Sequence, residues 1–486
     1  MHVSNLTHRR IAGLAAGLLF IAQSASIASA AGLASDATAA IRAVATRTNL
    51  PPEADDPERP AGLRLLKPGV WTDDIGIDDN GNPYNQYRRS TFGTWSNYSE
   101  ARANPFPLPD PLRLKSGRFV LDAVTWWKER RPEILEDFLA QIYGRIPVNT
   151  PAITWEVTAV AETATSKTKT IIGHIDNSSH PEAHPAIRLT LILPANASGP
   201  VPVIVMVGGG GGSPRPSAPP SASAAPSGAR VPPPDAKGPS PTEQILARGW
   251  GCAFFSTGSV QADNAAGLTE GIIGLVNQGR PRSRPDEWGA LSAWAWGLSR
   301  SIDYFETDPA VDPKRLGVEG HSRWGKTALW ATALDQRWAI VYASCSGEGG
   351  AKLSRRNFGE TVDNIAGSHW MAENFRKYGG NWNALPVDAH ELIALVAPRP
   401  AFITGATQDP WSDPGGEFQA VVAAGPVYRL LGKQDVGATE MPAPNVALVS
   451  GELAFREHVG AHTDVPDWPV FLEYAAKYFG ATTAKE

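Results

Sequence analysis

Residues 315–326 read RLGVEGHSRWGK, an apolar run closing on Gly320, then Ser322, then a segment with helical spacing. A strand, a sharp turn with serine at its apex and a helix opening would form a nucleophile elbow. Such a turn lifts the hydroxyl clear of the sheet, and the helix N-terminus beneath it favours negative charge developing during attack on a carbonyl. The spacing departs from the common G-x-S-x-G. Gly320 stands two before Ser322, but Trp324 occupies the place two after it and Gly325 comes one later. A serine that merely caps a structural helix fits this spacing too.

A serine nucleophile needs a base, and the base needs an acid to hold its tautomer. His462 lies late in the chain, just before a closing helical segment, where the order serine, acid, histidine requires the base. His458, four residues earlier, competes with it. The acid candidates are Asp409, which follows the strand-like FITGA directly, then Glu348, and then Asp413.

The elements that must position these residues alternate. Residues 121–143 predict an amphipathic helix with Pro132 near its start. Strands are expected at 152–160, 168–174, 187–196, 201–210, 249–256, 314–322, 337–345 and 398–407. Helices are expected at 286–304, after Ser322 and at 468–480, with a short one at 36–46. The run VPVIVMV (201–207) is apolar throughout, as suits a strand covered on both faces of a parallel sheet. Alternation at this spacing implies an α/β layer fold with a mostly parallel sheet. Residues 31–110 carry many turn formers and scattered aromatics and are expected to be a partly irregular N-terminal extension that wraps the core. The domain proper is 111–486. Residues 208–238 are low-complexity, rich in Gly, Pro, Ser and Ala, and read as a long loop within that domain.

Composition narrows the function. The chain has 486 residues and a formal charge of −5, which argues against a dedicated nucleic-acid binder, and its 16 tryptophans argue against disorder throughout. Two cysteines exclude a disulfide scaffold; Cys252 and Cys345 could be bonded or could be two buried thiols. The Gly-rich stretch after Val207 lacks the Gly-Lys-Ser/Thr ending of a phosphate loop, and Gly325-Lys326-Thr327 lacks a fitting loop before it. No clustered Cys/His spacing points to a metal, and no cofactor is expected. Residues 1–30, with Arg9-Arg10, an apolar stretch and Ala28-Ser29-Ala30, read as a cleaved export signal. Its removal would bring the formal charge to −7. The mature protein is expected to be periplasmic or secreted, off the membrane, and a monomer.

The sequence resembles the glucuronoyl esterases, carbohydrate esterase family 15 in its bacterial form, within the α/β-hydrolases. The segments that carry the resemblance are GHSRWGK (320–326), SGEGGAKLSRRNFGE (346–360), LPVDAHELIALVAPRP (385–400), DPWSDPGGEF (409–418) and GAHTDVPDWPVFLEY (460–474), with WWKERRPEILEDFLAQIYGRIP (126–147). It covers roughly 110–480. The resemblance implies an α-β-α sandwich and a serine esterase acting on esters of (4-O-methyl)glucuronic acid, such as lignin–carbohydrate links on glucuronoxylan. It places the nucleophile at Ser322, an oxyanion-holding arginine at Arg323 and the base at His462. Sugar contacts fall to Lys326, Glu360 and Trp411. Fungal members carry their acid 23 positions past the serine, where this chain has Cys345, and a thiol cannot replace a carboxylate there. Bacterial members place it after the next strand, which matches Asp409 and leaves Glu348 as the alternative. Arg355-Arg356 would orient the loop carrying Glu360 or form an exposed basic pair; His369 and Trp370 would lie by the pocket or pack a helix. The rival functions are an acetyl xylan esterase or other carboxylesterase on the same fold, and a non-catalytic carbohydrate-binding protein.

Overall fold

The structure is a computed structural model, and it describes residues 87–89, 95–98, 100, 103, 107–208 and 238–480. The export signal, the expected helix at 36–46 and all but the edges of the low-complexity segment lie outside the described residues.

Ten strands form one sheet. In chain order they are β3 (Ile153–Glu162), β4 (Ser166–Ile175), β5 (Ala186–Pro194), β6 (Val201–Val207), β7 (Gly251–Phe255), β8 (Val311–His321), β9 (Ile340–Ser344), β10 (Ala401–Ala406), β11 (Ala447–Leu448) and β12 (Leu453–His458). The strands β1 (Tyr87–Arg89) and β2 (Trp95–Asn97) pair separately as an antiparallel hairpin. The sheet order is β11-β12-β10-β9-β8-β6-β7-β5-β4-β3. From β12 to β7 every neighbouring pair is parallel, whereas β5, β4 and β3 run as an antiparallel meander on one side and β11 closes the other.

Alternation along the strands sorts their side chains into two cores. Val203, Val205 and Val207 of β6 join one buried cluster, which takes in the helices Ala290–Phe305, Arg323–Leu334 and Pro414–Leu430. Ile204 and Met206 join another, which packs on the closing helix Trp468–Phe479 and on Ile245 of the helix Pro241–Leu246. The central strands are thus covered on both faces, and that is why β6 could be apolar at every position.

The stretch 123–143 is helical from Ala123 to Tyr143, with π turns at Trp126–Arg130 and Phe138–Tyr143. Tyr143 stacks on Trp330, ring centroids 4.3 Å apart, which fastens this helix to the one that follows Ser322. The helix Pro414–Leu430 and strand β12 have no counterpart in the sequence reading. The first is almost uniformly small and apolar, with Pro426 inside it, so no polar face marks its period. The second is short and ends on charged residues.

Candidate active site

Strand β8 ends at His321, and the helix Arg323–Leu334 begins two residues later. Ser322 between them has φ 60° and ψ −128°, a backbone conformation costly for a side-chain-bearing residue. The turn leaves no room for a side chain at Gly320, since a Cβ there would sit 2.1 Å from the carbonyl oxygen of Trp324. The missing second glycine of the motif is also explained. Trp324 lays its ring against Gly208 at the end of β6, where a Cβ would meet the indole at 2.2 Å, so the small residue demanded by the elbow is supplied from the neighbouring strand. The first i−4 bond of the helix runs from the Lys326 amide to the Ser322 carbonyl (3.1 Å), which leaves the Arg323 amide among the unpaired donors of the helix opening.

His462 lies on the loop after β12, and its Nδ1 is 2.6 Å from Asp409 Oδ2. Asp409 is buried just past β10. Burial by itself would raise its carboxyl, but the bond from His462 and further bonds from Ser412 outweigh that and hold it below the ordinary value. An ionised carboxylate only accepts, so Nδ1 carries the proton and Nε2 is left as the basic nitrogen. The imidazole packs on His321, the residue before Ser322, with ring centroids 4.2 Å apart. The loops bearing Asp409 and His462 are sewn together: the Thr407 amide donates to the His458 carbonyl (3.0 Å) and the Gln408 amide to the Gly460 carbonyl (2.9 Å).

The competing candidates have other partners. Glu348 is fully buried and paired with Lys352 (3.0 Å) and the Ser354 hydroxyl. Asp413 caps the helix Pro414–Leu430 through the Gly416 amide (3.0 Å) and holds Arg356. His458 is fully buried and turned toward Asp467, Nδ1 to Oδ2 2.8 Å, so although two histidines stand four apart they do not share a ligand. Cys252 and Cys345 are both buried and free, the first within β7 and the second just past β9. Among the described residues, Cys345, Asp409 and His462 have donor atoms within 4.8 Å of one another. Burial pushes the Cys345 thiol well up, and Asp409 and His462 are bonded to each other.

Lys326, to which the resemblance gives a sugar contact, is buried. Its Nζ donates to the Ser346 carbonyl (2.6 Å) and to Glu360 Oε2 (2.7 Å). Gly347 makes this closeness tolerable: it has φ 58°, and a Cβ there would stand 2.5 Å from Glu360 Oε2. The Glu360 amide donates to the Trp411 carbonyl (2.7 Å), and Trp411 packs half-buried against Tyr98, Ala103 and Phe358. Lys326, Glu360 and Trp411 therefore meet in one place. Arg355 and Arg356 are buried, not an exposed basic pair: Arg355 holds Asp388 (3.0 Å) and Arg356 holds Asp413 (2.8 Å), flanking the loop that leads to Glu360.

Arg323 extends from the helix opening to Asp263, Nη1 to Oδ2 2.5 Å. His369 and Trp370 donate to the other oxygen of the same carboxylate. Asp263 had no signal in the sequence, where it is one acid in the turn-like stretch Gln261-Ala262-Asp263-Asn264.

The chain has relatives among known proteins. Residues 283–432 match a family model described as glucuronyl esterase of fungi. A curated relative, carbohydrate esterase MZ0003 from an unknown prokaryotic organism, is 36% identical over 405 residues, 78% of this chain and 91% of the relative. The solved structure of a glucuronoyl esterase of carbohydrate esterase family 15 from Teredinibacter turnerae T7901 is 38% identical, covering 77% of this chain and 89% of that one, with a TM-score of 0.69. One from Solibacter usitatus is 36% identical, covering 78% and 100%, with a TM-score of 0.68. The chain belongs to the glucuronoyl esterases of carbohydrate esterase family 15. The ten-stranded sheet, with its serine elbow between β8 and the following helix, is the α/β-hydrolase fold in this family's form, and the expected fold class holds.

Proposed function

We propose that this glucuronoyl esterase hydrolyses esters of (4-O-methyl)glucuronic acid, of the kind that join glucuronoxylan to lignin alcohols, through an acyl-enzyme on Ser322. The observation that carries the reading is the bond between His462 and Asp409 beside the strained serine elbow, with the Lys326–Glu360 pair near by.

His462 Nε2 takes the proton as Ser322 Oγ attacks the ester carbonyl. Asp409 accepts from Nδ1 throughout and stabilises the imidazolium that forms. The oxyanion is held by the Arg323 amide and guanidinium. The Gly208 amide is already given to the Phe255 carbonyl (3.1 Å) and is not a second backbone donor. The imidazolium then returns its proton to the leaving alcohol. Water, deprotonated by His462, attacks the acyl carbon, and Ser322 recovers its proton as the acid departs.

The sugar is recognised locally, because its carboxyl is esterified and carries no charge for the protein's net charge to act on. The Lys326 ammonium has three N–H donors, and two serve Ser346 and Glu360. The third, with a Glu360 carboxylate oxygen, suits vicinal sugar hydroxyls, and Trp411 offers a ring beside them. Export to the periplasm or medium fits a polymeric substrate, and no helix among the described residues is long and apolar enough to cross a membrane.

Steady-state hydrolysis of methyl and benzyl glucuronate, set against acetylated xylan and peptides, tests this reading. A kcat/KM at least about tenfold higher for the glucuronate esters is expected; a preference for acetylated xylan would replace the reading with that of an acetyl xylan esterase.

A further inference from the structure

Asp263 gathers three donors from two separate parts of the chain. Arg323 comes from the elbow helix, and His369 and Trp370 come from the loop before the turn Glu373–Tyr378. Each anchor is itself fixed. The carbonyls of His369 and Trp370 accept from the amides of Ala290 (2.9 Å) and Leu291 (3.3 Å), so this loop also caps the helix Ala290–Phe305. Gln261, two residues before Asp263, is buried. Its side chain bonds the Gly267 carbonyl and the Ile273 amide, and its own carbonyl accepts from Trp294 Nε1 (2.8 Å). The guanidinium lies over the Trp370 ring at 5.3 Å and near the Trp324 ring at 5.8 Å.

The Arg323 and Asp263 side chains remain 41% and 30% exposed. A pair in that setting contributes little to folding. What the arrangement does supply is geometry. A long arginine side chain is held by a carboxylate on one edge and indoles on its faces, while other N–H groups of its fork stay unspent. Donors fixed before the reaction stabilise an oxyanion without reorganising at the moment it forms.

We propose that Asp263, backed by His369 and Trp370, is the positioning residue for Arg323, fixing the guanidinium beside Ser322 so that its free N–H groups meet the developing oxyanion. This rests on the reading of Arg323 as an oxyanion donor. Burial alone would raise the Asp263 carboxyl, yet the bonds from His369, Trp370 and Arg323 hold it well below the ordinary carboxylate range, as a permanently charged anchor requires.

A double-mutant cycle on the full chain tests the proposal, with benzyl glucuronate as substrate. Asp263→Ala should lower kcat roughly 10- to 100-fold, with KM within about twofold and the melting temperature nearly unchanged. Asp263→Asn, which still accepts from His369 and Trp370, should lose less. In the Arg323→Ala background, Asp263→Ala should cost no more than about twofold further. An equal loss from Asp263→Ala with and without Arg323 would show that Asp263 acts by another route and overturn the proposal. An impaired Arg323→Ala beside an unimpaired Asp263→Ala would overturn the clamp alone. An unimpaired Arg323→Ala would remove the oxyanion role of Arg323, and the clamp with it.

Discussion

Asp409 and Glu348 are two buried carboxylates, ranked in that order by the sequence, and their partners separate them. Asp409 faces His462 and is held ionised, whereas Glu348 balances the buried Lys352 ammonium. Replacing Asp409 by Asn should therefore leave KM near its starting value and lower kcat about 10³- to 10⁴-fold, by removing the acceptor that fixes the imidazole tautomer. Glu348→Gln should instead strip a buried cation of its partner and cost on the order of 3 kcal/mol of stability, leaving kcat within a few fold. Thermal unfolding and steady-state kinetics on both variants check this; a larger loss of kcat in Glu348→Gln would reverse the assignment. Ser322, His462, Arg323 and Lys326 stand out as candidates in the sequence because they sit in or beside segments with their own pattern. Asp263 does not. Its place depends on three chain segments meeting, and nothing in Gln261-Ala262-Asp263-Asn264 carries that information.

The loop that carries His462 is an element in its own right, fastened at both ends. At one end the Asp464 side chain accepts from Trp468 Nε1 (2.9 Å), and its carbonyl accepts from the Tyr342 hydroxyl (3.2 Å). At the other, the buried His458 directs Nδ1 at Asp467 (2.8 Å) and Nε2 at the Ala461 carbonyl (3.1 Å). Both acceptors are satisfied together only when both ring nitrogens donate, so the pair favours the imidazolium. Burial by itself would lower its pKa, but Asp467 and the Ala461 carbonyl outweigh burial and raise it above the ordinary 6.5. A raised folded-state pKa stabilises fully below the unfolded value and loses that contribution as pH rises through the folded one. The difference in stability between the wild type and His458→Gln should thus be largest below about pH 6.5, on the order of 2 kcal/mol, and shrink at higher pH. Denaturant melts across pH 5 to 9 would show it, and a difference that grows with pH would contradict it. The sequence marked His458 only as a rival base, because nothing local to the segment gives Asp467 as its partner. The helix Pro414–Leu430 escaped notice for a different reason: it is buried on nearly every side and so has no polar stripe to set its period.

At the scale of the whole molecule, the parallel strands β8, β10 and β12 place Ser322, Asp409 and His462 at the same end of one sheet. β8 delivers Ser322, β10 delivers Asp409 and β12 delivers the loop of His462, each just past its last residue. This is the crevice outside the carboxyl ends of the strands, where open α/β sheets bind their ligands. The layer architecture was legible because apolar strands covered on both faces alternate with helical segments. The antiparallel meander β3-β4-β5 reads as strands but not as the sheet's flank, since pairing partners are not written in periodicity. The hairpin β1-β2 belongs to the N-terminal extension, and it reaches the site's far side: the Gly359 amide donates to the Asn97 carbonyl (2.8 Å), one residue from Glu360. The role proposed for Ser322, nucleophile of a glucuronoyl ester hydrolase, depends on all of these elements. The most direct measurement is kcat/KM for benzyl glucuronate with Ser322→Ala beside the wild type, both confirmed folded by circular dichroism. The wild type should turn the ester over and the variant should fall by about 10⁴-fold or more. An unchanged rate in the variant would contradict the account.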